Sequence, residues 1–237
     1  MTAGSRDLVI GSGPLATALA GATGARLVGP AQTSGPFLWR RASLDTGEGL
    51  LAGAHDAERI WLVVPDRQPI HGVLAVLRQL PATPGVMAVP PTVDIPETVQ
   101  LLRPGWRVVR VPSVVGPTEP LVAIWTEQIR LRRHLWLADP DGLFATDADV
   151  AVAALRAAMT DGPRKSQVAS KPLRLPLLAD RIARDHGCAL RATTMPFAVA
   201  MWRIGLDARE LRARMAHRLD AIPPDAPQPG APAGATN

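Results

Sequence analysis

The chain has 237 residues, 47% of them apolar, and a formal net charge of +5 carried almost wholly by arginine. That length suits one domain, or one domain with a small lobe, and supplies enough apolar material for a substantial core. The single cysteine, Cys188, excludes a disulfide framework and a cysteine metal site. The opening residues lack a signal-peptide layout and no apolar run reaches membrane-spanning length, so a cytoplasmic location is expected.

Leu8, Val9 and Ile10 form a short apolar run that predicts a buried strand. Gly11, Ser12, Gly13, Pro14, Leu15 and Ala16 follow with the spacing G-x-G-x-x-A, and residues 15–20 are good helix formers. Strand, glycine turn and helix start in that order make a phosphate cradle. Gly11 permits the tight turn, Gly13 leaves room for a pyrophosphate, and Ala16 lets the helix pack close to the strand. The helix amino terminus then offers free N–H groups to the anion. The alternative is a strand-turn-helix unit with no ligand.

Residues 25–29 predict a second strand. Beyond it, Gly29 to Ser34 contains neither the carboxylate that binds a ribose 2′-hydroxyl nor an arginine for a 2′-phosphate. Arg40 and Arg41 stand close by, either as phosphate ligands or as solvated charges on a strand edge. Residues 37–44 predict a third strand. Asp45 and Glu48 have the spacing of a capping box for the helix that follows. Residues 59–64 (RIWLVV) make the strongest strand, ending at Val64 and Pro65, where a ligand-facing loop with Asp66 and Arg67 is expected. Residues 70–80 carry apolar side chains at a helical period, and 85–89 predict the next strand. A helix is expected over 94–102 and a strand over 106–115. An apolar segment follows at 121–129 and a short strand at 135–137. Helices are then expected over 149–159 and 176–186, and a helical tail over 196–219, broken near Gly205. Strands alternating with helices predict an α/β fold, a doubly wound parallel sheet of the Rossmann type with a small C-terminal helical lobe. We place the Rossmann core at 1–116, the lobe at 117–222 and a disordered, proline-rich tail at 223–237.

Of the five histidines, His55, His71, His134, His186 and His217, none has metal-ligand spacing with another. His71 follows the Pro65–Arg67 loop and is the one considered as a base. From Arg164 to Arg218 there are twelve Arg/Lys against four Asp/Glu. This is either a solvated helical face or a surface for an acidic protein or an anionic membrane. Nucleic acid is disfavoured, because no recognition motif is present. Residues 195–202 (MPFAVAMW) set an apolar patch beside that charge, read as core packing or as a membrane-lying helix.

Several of these segments together resemble the extended and atypical short-chain dehydrogenase/reductases, the group that includes the NAD-dependent epimerases. The resemblance covers residues 8–202. Gly11–Ala16 stands where that family has its cofactor turn. Leu44-Asp45, leading through Ala54 into residues 59–64, looks like its acidic turn, short helix and fourth strand. Residues 107–117 (RVVRVPSVVGP) are similar to its L-R-P-x-x-V-Y-G-P run, and 147–151 (DADVA) to its V-x-D-V-A helix start. The resemblance implies an NAD(P) cofactor held by Gly11, Ser12, Gly13, Pro14, Leu15, Asp45, Val64 and Pro65. Ser113 follows the sixth strand and Thr92 the fifth. The family carries a substrate-bonding hydroxyl at the end of its fifth strand, so Thr92 is the nearest positional match, or else a turn residue.

The departures are as informative. The family turn is usually T-G-x-x-G-x-x-G. Its Tyr-x-x-x-Lys pair, in which lysine tunes the tyrosine hydroxyl for proton transfer, has no counterpart. The sequence contains no tyrosine, and its only lysines are Lys165 and Lys171. The expectation is an NAD(P)-binding Rossmann protein without that pair. The alternative is a non-catalytic structural or regulatory partner protein.

Overall fold

The computed structural model describes residues 6–30, 35–64, 71–80, 83–92, 105–132, 134–138 and 140–220. The strands are β1 Asp7–Ile10, β2 Arg26–Gly29, β3 Trp39–Arg41, β4 Arg59–Val63, β5 Gly85–Val89, β6 Arg107–Arg110, β7 Val114–Val115, β8 His134–Leu137, β9 Phe144–Asp147, β10 Lys165–Gln167, β11 Lys171–Pro172 and β12 Arg191–Thr194. The helices are α1 Gly13–Thr23, α2 Leu50–Ala54, α3 His71–Gln79, α4 Pro120–Arg132, α5 Ala148–Asp161, α6 Leu175–Asp185, α7 Phe197–Arg203 and α8 Ala208–Met215. The expected helix at 94–102, the Pro65–Arg67 loop and the tail beyond 222 lie outside the described residues.

Among the described residues, seven strands form one sheet in the order β3-β2-β1-β4-β5-β6-β10, with every pair parallel. Parallel strands need helical crossovers, and those crossovers cover both faces. The sequence meets that demand by alternation. Leu8, Ile10, Ile60, Leu62 and Met87 face one core with Leu50, Val73 and Leu77. Val9, Trp61, Val63, Val86 and Val109 face the other with Ala16, Leu19 and Leu155. The sheet is therefore doubly wound and of the Rossmann type, as the strand-helix alternation predicts. Ala16 and Ala20 are fully buried, so α1 lies close on β1. At the amino end of β1, Asp7, 4% exposed, is gripped by Arg59 through Nε at 2.8 Å and Nη2 at 2.6 Å. That bidentate bond holds the guanidinium above its ordinary pKa.

The second lobe has its own core around Trp125, Leu121, Ile129, Leu135, Leu175 and Met201. It is not purely helical. Strands β11-β9-β7 form a small mixed sheet, and β12 pairs with β8 in parallel. Nor does the chain leave the main sheet at residue 116. Helix α5 returns to cover the face beside α1, and β10 extends the sheet beyond β6.

Three local expectations change. Residues 106–115 are two strands, β6 and β7, because Pro112 lacks the N–H that an unbroken ladder needs. The third strand is confined to β3. Asp45 does not start a helix. Gly47 and Gly49 adopt φ +76° and +79°, the turn is closed by the Thr46 amide bonding Ser43 Oγ, and α2 begins only at Leu50. The tail does break as expected, with Gly205 at φ +74° between α7 and α8.

Candidate functional site

The chain turns to opposite sides of β1 when it passes from β2 and β3 to β4. Such a switch point opens a crevice at the carboxyl ends of the strands. The glycine turn lies there. Gly11 sits at φ +145°, and a Cβ on it would meet the Val63 carbonyl oxygen at 2.6 Å. Gly29 is equally constrained: its Cβ would fall 2.1 Å from the Gly11 carbonyl oxygen. The turn is thus clamped between β2 and β4, and the Gly11 amide bonds the Val28 carbonyl at 2.9 Å. Gly13, at φ +85°, differs. A Cβ there would stand in open space, with nothing within 4 Å.

Helix α1 begins directly behind this opening. Its N-cap, Ser12, makes no side-chain capping bond, and its first turn holds no acidic residue. The positive end of the helix is therefore not neutralised by a side chain of its own first turn. Pro14 takes one early position and removes one donor, which leaves the amides of Ser12, Gly13 and Leu15 at the mouth.

The crevice continues from Ser12, Pro14 and Leu15 past Val64 to Pro90, Pro112 and Ser113, with about 150 Å³ of free volume. A separate hollow of about 610 Å³ lies at the ends of β2 and β3, bordered by Pro30, Arg41, Ser43, Asp45 and Glu48. The structure thus brings Ser12, Pro14, Leu15 and Val64 to one crevice, with Gly11 and Gly13 shaping its turn. Asp45 lies in the neighbouring hollow together with Arg41. Pro65, Asp66 and Arg67 fall outside the described residues, and the side chain of His71 is not described. Thr92 is an exposed turn residue apart from the crevice lining.

The crevice has a roof that the sequence does not announce. Glu119 and Arg214 come from the second lobe, 95 residues apart. Glu119 is 2% exposed. Its Oε1 accepts from Arg214 Nη2 at 3.1 Å, and its Oε2 accepts from the Val122 amide at 3.1 Å in the first turn of α4. Ser113 Oγ donates to the Arg214 carbonyl at 2.7 Å, so the hydroxyl after β6 is committed to α8. Met215, nearly fully buried, completes the cover. No pattern within one segment signals such a pair.

No protein-family model matches the chain, and no curated protein gives a significant sequence match to it. Solved structures are similar in fold. A monomeric L-threonine 3-dehydrogenase from a metagenome superposes with a TM-score of 0.58 at 9% identity, over 90% of this chain and 89% of that one. The NAD-dependent NDP-hexosamine 5,6-dehydratase TunA gives 0.55 at 12% identity, over 92% and 93%. MoeE5 in complex with UDP-glucuronic acid and NAD gives 0.52 at 12% identity, over 89% and 97%. The likeness extends through both lobes. It establishes the Rossmann fold with its C-terminal lobe, the architecture that the short-chain dehydrogenase/reductase resemblance implies.

Proposed function

We propose that the protein binds an NAD(P)-type dinucleotide across the carboxyl edge of its main sheet. One observation carries this reading. The α1 amino terminus has no side-chain cap, its Ser12, Pro14 and Leu15 line the crevice, and a Cβ on Gly13 would stand in open space. Backbone amides of Ser12, Gly13 and Leu15 would hold the diphosphate. The hollow beside Arg41 and Asp45 would take the adenosine half, and the crevice past Val64 the nicotinamide half. The cofactor, when bound, supplies hydride chemistry; the chain supplies binding, orientation and exclusion of water. The similar structures fit this reading, since two are described as NAD-dependent or NAD-bound, one of them with a sugar nucleotide. For an active enzyme, a nucleoside-diphosphate sugar is the matching substrate class.

A second reading is a structural or regulatory protein that keeps the nucleotide site and performs no redox chemistry. The roof favours it. The sequence has no tyrosine, the crevice holds about 150 Å³, and its polar wall is an ion pair already made. Ligand pockets usually run from about 300 to 1,000 Å³.

Calorimetric titration with NADH and NADPH tests the binding claim. Gly13→Asp places a carboxylate in the cradle, while Gly13→Asn supplies the same shape and the same backbone strain at φ +85° without the charge, so the pair isolates the charge. Binding should be weakened about a hundredfold by Gly13→Asp and far less by Gly13→Asn, since a charge beside a diphosphate costs several kcal/mol at low dielectric. Saturable binding that Gly13→Asp leaves intact removes the turn from the site.

A further inference from the structure

The second lobe carries a groove of about 380 Å³ that shares no lining residue with the crevice. Its long wall is α6. Leu175, Leu178, Ala179 and Ile182 bury one face of that helix in the lobe core. The groove face carries Leu177, Arg181 and Arg184 at spacings of four and three, one stripe of a helix, and Arg174 stands at the N-cap. Lys171, on β11, continues the basic rim. Opposite lies the start of α5, with Asp147 and Val150. The floor is aliphatic and open: Leu177 is 69% exposed and Val150 47%.

Four cations and one carboxylate line the groove, and two further carboxylates, Asp180 and Asp141, pair with the cations from outside the lining. Arg181 pairs with the lining carboxylate, Asp147, at 2.9 Å, both side chains being 48% exposed. Arg184 reaches Asp180 at 3.1 Å, and Arg174 reaches the almost fully exposed Asp141 at 3.6 Å. Solvent-exposed pairs of this kind are weak and screened by salt. An incoming carboxylate can exchange into them at little cost, so the surplus positive charge is available to a partner. The exposed aliphatic stripe between the cations gives that partner something to bury.

We propose that this groove docks an acidic segment of another protein, one carrying aliphatic side chains between its carboxylates at helical spacing. At about 1.5 Å per residue the 11-residue α6 offers about 16 Å of contact, which matches three turns of a partner helix. Nucleic acid fits less well, because no aromatic side chain lines the groove for base stacking. A flat bilayer cannot follow its concavity. The inference is independent of dinucleotide binding.

The test is fluorescence anisotropy on the full chain with a fluorescein-labelled peptide carrying glutamates and leucines at helical spacing. An all-glutamate peptide, a single-stranded DNA and phosphatidylserine vesicles are the comparators. Saturable binding of the Glu/Leu peptide, tighter than that of the other three, is expected. The double variant Arg181→Gln/Arg184→Gln should weaken it about tenfold. Leu177→Ser, at an open position that leaves the core untouched, should weaken it about fivefold and leave the all-glutamate peptide unchanged. Circular dichroism reports whether each variant is folded, and Leu177→Ser keeps the test readable if the double variant is not. The proposal is overturned by any of three results: no saturable peptide binding, full affinity in folded variants, or preferential binding of DNA or vesicles.

Discussion

Gly29 leaves no space for even a methyl group, since its Cβ would overlap the Gly11 carbonyl oxygen. Both neighbours are backbone, and neither can swing away. Gly29→Ala should therefore cost about 3 kcal/mol by urea denaturation and weaken NADH together with stability, because β2 can make room only by pushing the cofactor turn. Gly13 is the contrast: a side chain there meets no atom within 4 Å, so its stability cost is the backbone strain of φ +85° alone, which Gly13→Asp and Gly13→Asn share. Gly11 and Gly13 are legible as a motif because turn chemistry is local. Gly29 is not, since its constraint comes from the Gly11 carbonyl in the turn after β1, 18 residues away in the chain. Charge can be read at the same scale. Asp56 accepts a 2.6 Å bond from Arg26 Nη2, and that bond holds its carboxyl below the ordinary range. A depressed carboxylate contributes stability above the unfolded pKa of about 4 and loses it as pH falls through the folded value. Arg26→Gln should thus lower stability slightly at neutral pH and converge with the native protein in acid, as urea titrations across pH would show. The effect is small because Asp56 is 61% exposed.

Helices α4 and α8 meet over the crevice through a single buried carboxylate. Glu119 caps the first turn of α4 and binds Arg214 of α8, so one side chain serves both elements. Glu119→Ala removes the cap and leaves Arg214 with its Nε still lacking a partner. The expected cost is about 2 kcal/mol, discounted because Arg214 keeps some solvent. Amide exchange should quicken in α8 and the first turn of α4 more than in β1 or β4. Arg214→Ala should cost a similar amount, and the double variant little more than either single change, since both remove one interaction. At this scale the sequence reveals elements that bury a continuous or periodic apolar face. Strands β1, β4 and β5 and helices α1, α3 and α5 are of that kind. Strands β9, β10, β11 and β12 escaped notice for the converse reason. Arg191–Thr194 is exposed throughout and Lys165–Gln167 exposed to half-buried; both are largely polar and held by ladder bonds that leave no mark on composition. The Asp45 turn misleads because Asp45 and Glu48 mimic a capping box, while Gly47 and Gly49 hold the backbone in the left-handed region.

The whole molecule depends on a return of the chain that no linear division captures. Composition and motifs place the end of a Rossmann unit at residue 116, yet the face of the sheet beside α1 is covered by α5. Ala151, Leu155 and Ala158 from that helix are 0%, 0% and 3% exposed. They pack in one core with Leu15, Leu19 and Val109. The Arg107 guanidinium fixes the same helix from β6, donating to the carbonyls of Met159 and Gly162. A fragment of residues 1–116 would expose that half-core and the open edge of β6, a surface prone to aggregation. It should behave as a collapsed state without a cooperative thermal transition and with strong binding of a hydrophobic dye. Restoring residues 146–168 to the fragment through a short glycine-serine linker should bring the transition back, because Val115 and Asp147 are already neighbours in parallel register. Cooperative unfolding of 1–116 alone would show that α5 merely leans on a sheet complete without it. Recovery in the linked form would locate the physical boundary of the nucleotide-binding half in space, with the inserted residues 117–145 belonging to the lobe that closes over it.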